Sequence, residues 1–168
     1  KAHIEKQRPD VVGLTIPFPG NLYAALKCGQ YIKQNYPNIK VIAGGSQLWK
    51  RAGRFEGWHH FAAERRAFAD WLIAQRIEGV LFLSGDRHFS ELLQIERPGA
   101  YPLLEFTSSP LTSRPFKQLD EAERDNPDVV PGTQVARRQF GLIRVTGRGD
   151  DRRLSFESYD GAGALLWR

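Results

Sequence analysis

The sequence predicts an α/β fold: a two- or three-layer arrangement built on a parallel β-α-β-α-β core, with antiparallel strands at the C-terminal end. Three observations predict it. Two short apolar runs, 10–16 and 39–43, flank a stretch of helical spacing. A second helical stretch leads into a third apolar run at 79–84. From residue 139 onward, short alternating segments are separated by turn signals. Apolar runs linked by helices are the pattern of parallel strands, because helices cover both faces of such a sheet.

Taken in order, residues 1–9 are polar and read as a lead-in or helix end. Asp10-Val11-Val12-Gly13-Leu14-Thr15-Ile16 is a buried strand, and Pro17-Phe18-Pro19-Gly20-Asn21 a rigid turn with Asn21 as N-cap. Leu22, Ala25, Leu26, Gly29, Ile32 and Tyr36 keep helical spacing over 21–36, and Pro37 stops it. Strand 39–43 ends in Gly44-Gly45. A glycine- and aromatic-rich loop follows, then a helix over 59–76 with Phe61, Phe68, Trp71 and Leu72 on its apolar face. His59 and His60 are adjacent, so their side chains should diverge. Beyond strand 79–84, residues 91–95 fit either a short helix or a strand. Strands are expected at 102–107, 139–146, 153–159 and 163–168, with a long surface loop and one helical turn over 114–138.

Length and composition bound the function. A chain of 168 residues suffices for a single domain with a core, and 41% apolar residues exclude a disordered chain. The net charge of +5 mildly favours anionic small molecules, but no Lys/Arg run marks a nucleic-acid interface. No apolar run reaches the ~18 residues of a membrane span. Cys28 is alone, so no internal disulfide can form, and its helical setting among small residues reads as a buried thiol. The chain opens on Lys1 without a signal peptide or an initiator Met, which reads as a fragment, and leaves localisation open.

The chemistry concentrates in one stretch. Val80-Leu81-Phe82-Leu83 is a buried strand, and Asp86, Arg87 and His88 follow directly. Such a strand delivers polar groups to the carboxyl edge of a sheet, where open α/β folds place their sites. In extended backbone Asp86 and His88 would point to the same side and suit a divalent or trivalent metal ion. Arg87 would offer a fork to a phosphate or carboxylate. The alternative is an Asp-Arg ion pair that closes the strand, with His88 on the surface.

Ser84-Gly85-Asp86-Arg87-His88-Phe89-Ser90-Glu91-Leu92 resembles the C-terminal metal motif of the PhoD-like alkaline phosphatases, a branch of the metallophosphoesterases. Asp86 stands where the wider family's Gly-His-x-His has its first His. Phe55-Glu56-Gly57-Trp58, Tyr101-Pro102-Leu103, Thr107-Ser108-Ser109-Pro110-Leu111-Thr112 and Phe140-Gly141-Leu142-Ile143 extend the resemblance over about 46–168. It implies a hydrolase of small phosphoesters using a metal ion such as iron or calcium, with Asp86 and His88 as ligands and Arg87 as the catalytic phosphate contact. Such sites take further ligands from earlier strands, which this part lacks, and Asp10 precedes its strand and so lies at the wrong edge. Weak or absent metal binding is therefore expected. An exposed sheet surface where the rest of a phosphatase would pack would favour a homodimer.

Pro9-Asp10-Val11-Val12-Gly13-Leu14-Thr15-Ile16-Pro17-Phe18-Pro19-Gly20-Asn21-Leu22-Tyr23, with Ile39-Lys40-Val41-Ile42-Ala43-Gly44-Gly45, resembles part of the cobalamin-binding domain of cobalamin-dependent radical SAM enzymes. This resemblance covers about 1–45 and implies that Thr15, Gly20, Gly44 and Gly45 lie against the nucleotide tail of cobalamin. The Asp-x-His-x-x-Gly motif and the three-cysteine cluster motif are both absent. Two resemblances meeting at 43–47 suggest a chimera. The competing readings are a cobalamin- or nucleotide-binding α/β module and a scaffold without ligand.

Overall fold

The structure is a computed structural model that describes residues 2–9, 11–16, 22–45, 58–148 and 151–168. The predicted residues Asp10, Gly20 and Asn21, and the loop 46–57, lie outside them. The elements are α1 (Ala2–Gln7), β1 (Val11–Ile16), α2 (Leu22–Asn35), β2 (Lys40–Gly45), a 3₁₀ turn (Trp58–Phe61), α3 (Ala62–Ala74), β3 (Leu81–Ser84), β4 (Glu91–Ile95), β5 (Leu103–Thr107), α4 (Glu121–Arg124), β6 (Gln139–Thr146), β7 (Arg153–Asp160) and β8 (Leu165–Trp167). The α/β class and the C-terminal antiparallel strands are as the sequence predicts.

Five strands form one sheet in the order β1-β2-β3-β5-β4. The first four of these run parallel, and β4 pairs antiparallel with β5. Residues 91–95 are thus a strand, chosen by pairing with β5, since five residues carry too little periodicity to decide. Because β1 and β2 continue into β3, residues on both sides of 43–47 share a single sheet.

Helices α2 and α3 supply one core. Ala25, Trp58, Leu72, Phe82 and Leu103 are buried together, with Leu14, Phe68 and Ile95 packed against them. Gly29 of α2 faces Leu14 of β1 and Val41 of β2, where a Cβ would make ordinary contacts at 3.6 and 3.8 Å. On α3, Leu72 is buried while Phe61 and Trp71 are exposed, so the apolar face is narrower than the sequence suggests. Trp58 caps this layer from the 3₁₀ turn, its indole N–H donating to Glu64 Oε1 at 2.8 Å. His59 and His60, expected to diverge, have ring centroids only 3.9 Å apart. Cys28, expected to be buried, is exposed on α2.

Strand pleat sends Phe106, three residues after Leu103, to the other face. There it meets the second sheet, β6-β7-β8, edge-on to Phe156 and Trp167 at 5.6 Å each. Gly141 of β6 fits against it, since a Cβ would come within 2.5 Å of the Phe106 ring. The layers are therefore helices, mixed sheet and antiparallel sheet. The far face of the antiparallel sheet carries exposed Phe140, Leu142 and Leu165.

That same face holds Glu157, 2% exposed. Arg144 donates to both its carboxylate oxygens at 3.2 and 3.1 Å, and the Tyr159 hydroxyl donates at 2.6 Å. The Arg144 contact, then Tyr159, holds the carboxyl below its ordinary value of 4.5. A depressed pKa contributes stability above the unfolded-state value that is lost as pH falls through the folded one. Thermal unfolding followed from pH 7 to pH 3 should accordingly show a steeper acid loss for the wild type than for Glu157→Gln. Equal slopes would mean that Glu157 contributes nothing to acid sensitivity.

Residues 114–138 are largely the exposed segment with one helical turn, α4, that their charges and prolines suggest, yet three polar residues turn inward. Glu123, Asn126 and Thr133 are buried. The segment folds back on β4 through antiparallel bridges Ser90–Val135 and Leu93–Val129. Backbone pairing satisfies main-chain groups of this excursion beside the three residues that are buried.

Candidate functional site

The parallel strands end in register. Ile16 lies opposite Gly45, Gly45 opposite Ser84, and Ser84 opposite Thr107. Their carboxyl ends thus form one edge, and Gly85–Ser90 leaves from it. The Ser84 and Thr107 hydroxyls are 2.6 Å apart, and the Ser108 N–H donates to the Ser84 carbonyl at 3.0 Å. Hydroxyl residues of 107–109 therefore tie the strand ends together, the backbone-satisfying role that turn chemistry predicts.

The loop is not extended. Asp86 has φ 67° and His88 φ 58°, both left-handed. The alternation that would aim the two side chains the same way does not apply in this conformation. Asp86 is exposed and His88 half-buried. Non-glycine residues hold such φ values only where their surroundings over-determine them. Here the His88 N–H donates to Ser109 Oγ at 3.2 Å, and the His88 carbonyl accepts from the Phe116 N–H at 3.1 Å. The His88 ring stacks on Phe116 at 5.4 Å, and its Nδ1 contacts the Arg114 carbonyl oxygen. A carbonyl only accepts, so in this contact Nδ1 carries a proton and Nε2 is the ring nitrogen left for another partner. That is how histidine ligands are usually oriented.

Arg87 is not open to a ligand in the way its position suggests. It forms an ion pair with Glu123, which is 2% exposed, and lies 5.7 Å from the Phe89 ring centroid. Burial lowers its pKa, and the carboxylates of Asp120, Glu91 and Asp86 oppose that. The ion pair that the sequence offers as the alternative to a site does exist, but its acid is Glu123 and not Asp86. Beside it is a cavity of about 750 Å³ lined by Arg87, Phe116, Leu119, Asp120 and Glu123. Sequence reasoning missed Glu123, because nothing in Glu121-Ala122-Glu123-Arg124 separates the buried acid from its solvated neighbours.

Of the residues assigned to a cofactor tail, Thr15 lies opposite Gly44 in the sheet register, and Gly45 is next along the edge. The Thr15 side chain and Gly20 lie outside the described residues. Gly44 has a purely structural reason to be glycine: a Cβ would sit 2.7 Å from the Leu83 carbonyl oxygen. Gly44→Ala should destabilise by about 1–3 kcal/mol, as overpacking does. Urea unfolding checks this, and an unchanged midpoint would mean that β3 can yield.

The metal assignment has the same shortfall in structure as in sequence. No cluster of three His, Cys, Asp or Glu able to hold a metal ion occurs among the described residues. Asp86 and His88 are two donors where a metal needs four to six. On their own they do not fit the group. Nor is any helix among the described residues long and apolar enough to cross a membrane.

No family model matches the chain, and no curated protein matches it by sequence. Among solved structures it is similar to the structure of PhoD, with a TM-score of 0.50 at 14% identity over 84% of this chain and 34% of that one. The fold is distantly PhoD-like. At that identity the likeness concerns fold alone, and the chain spans about a third of that protein's length. Residues 46–168 are under three quarters of the chain, so a likeness over 84% must include part of 1–45. The PhoD-like fold thus reaches into the β-α-β unit, and the cobalamin resemblance gains no support from it.

Proposed function

We propose that the chain is the C-terminal part of a PhoD-like phosphoesterase and supplies one side of a site that hydrolyses small phosphoesters. The observation that carries this reading is the Gly85–Ser90 loop, placed at the carboxyl edge of the parallel strands with the His88 Nδ1 proton on the Arg114 carbonyl. The PhoD-like fold supports it. Asp86 and His88 would supply two ligands to a metal, and a metal there would need further donors beyond these two. Arg87, paired with Glu123, contacts phosphate only through donors that the pair leaves over.

Titration with Mn²⁺ or Zn²⁺, alongside Asp86→Ala and His88→Ala, tests the reading. The wild type should bind weakly, and each substitution should weaken binding by about tenfold or more, as expected for loss of one ligand's worth of interaction. Equal affinity in all three proteins, or none in the wild type, would remove the basis for a metal site here.

A further inference from the structure

We propose that Glu123 is a positioning residue: through its ion pair with Arg87 it holds the Gly85–Ser90 loop in the conformation that keeps the His88 proton on Nδ1. This deepens the phosphoesterase reading and rests on it for its function. Arg87 lies between two left-handed residues, Asp86 and His88, so the rotation of one peptide unit on either side changes where the imidazole sits. Its guanidinium is fixed by Glu123.

Glu123 is in turn fixed by a buried polar network. Asp120 accepts the Glu123 N–H at 2.8 Å. Gln134 Nε2 spans from the Glu123 carbonyl at 2.7 Å to Glu91 Oε2 at 3.1 Å, and Glu91 is the first residue of β4. Val135, next to Gln134, exchanges both backbone hydrogen bonds with Ser90 at 3.0 and 2.9 Å. The excursion therefore grips the loop at Arg87, His88 and Ser90, and at Arg87 it does so through side-chain charge, with Glu123 in the ion pair and the Asp120 carboxylate acting beside it. Arg87 Nε and Ser90 Oγ are buried without a hydrogen-bond partner, so the orientation of the guanidinium depends on its ion pair with Glu123 and not on a fully satisfied network.

The test is ¹⁵N NMR of the imidazole in metal-free protein, comparing wild type with Glu123→Gln and Arg87→Lys. Glutamine keeps the size of Glu123 but not its charge, and lysine keeps the charge of Arg87 but not its fork. The wild type should show His88 mainly as the Nδ1–H tautomer. Glu123→Gln should lower the tautomer ratio by about tenfold, and Arg87→Lys should lie between. A changed ratio in folded variants supports the proposal, and an unchanged ratio overturns it. Failure of both variants to fold would also overturn it, since the pair would then serve the fold and not the loop. Because no metal is present, a shifted tautomer together with absent metal binding would retain the positioning role and reject the phosphoesterase reading.

Discussion

Phe106→Ala should lower the unfolding free energy by about 3–5 kcal/mol, the range for truncating a buried aromatic ring. Few domains of this size have more than ~5–15 kcal/mol to lose. Phe106 is 3% exposed and is the side chain on which the two sheets meet. Its ring touches Phe156 and Trp167, and Gly141 has no side chain because the ring occupies that space. A cavity there cannot be refilled from β6, since the nearest residue is a glycine. Chemical denaturation measures the loss. Hydrogen exchange should report selective opening of β6–β8, because the helix-side core of Phe82 and Leu103 is untouched. A loss under ~1 kcal/mol would mean that the sheets are held elsewhere.

Arg87→Met should be of similar size, about 3–5 kcal/mol, for a different reason. The methionine fills much of the volume but leaves Glu123, at 2% exposure, without its guanidinium. The buried Glu123 carboxylate then keeps only its other contacts, and the burial of its charge sets the cost. Adding Glu123→Leu to Arg87→Met should therefore recover most of the loss, because a buried pair replaced as a whole by apolar groups is often neutral. Equilibrium unfolding of the two singles and the double gives the coupling directly. If the double is no better than Arg87→Met alone, the burial of Glu123 is not what makes Arg87 costly to replace.

Much of the fold was legible because its signals are local. The apolar runs 10–16 and 39–43, with a 3.6-period stretch between them, mark β1-α2-β2, and Tyr36-Pro37-Asn38 marks where the helix ends. The alternation in Leu154-Ser155-Phe156-Glu157-Ser158-Tyr159 and the Asp160-Gly161 turn mark the final hairpin. The position of the candidate site was equally legible, because a buried strand that ends in Ser84-Gly85 must hand its next residues to the sheet edge.

What the sequence by itself determined was the order of elements, their types and the edge from which Asp86, Arg87 and His88 depart. Only the tertiary structure decided what those residues do there. The left-handed backbone at His88 is held by contacts to Ser109, Arg114 and Phe116. The partner of Arg87 comes from a segment whose charges and prolines read as solvated loop. Glu123 is buried although most of that segment is exposed, where its backbone bridges to Ser90 and to Leu93 of β4. Periodicity encodes which face of an element is apolar. It carries no information about which distant acid will meet a buried cation, because that contact exists only once the chain has folded back on itself.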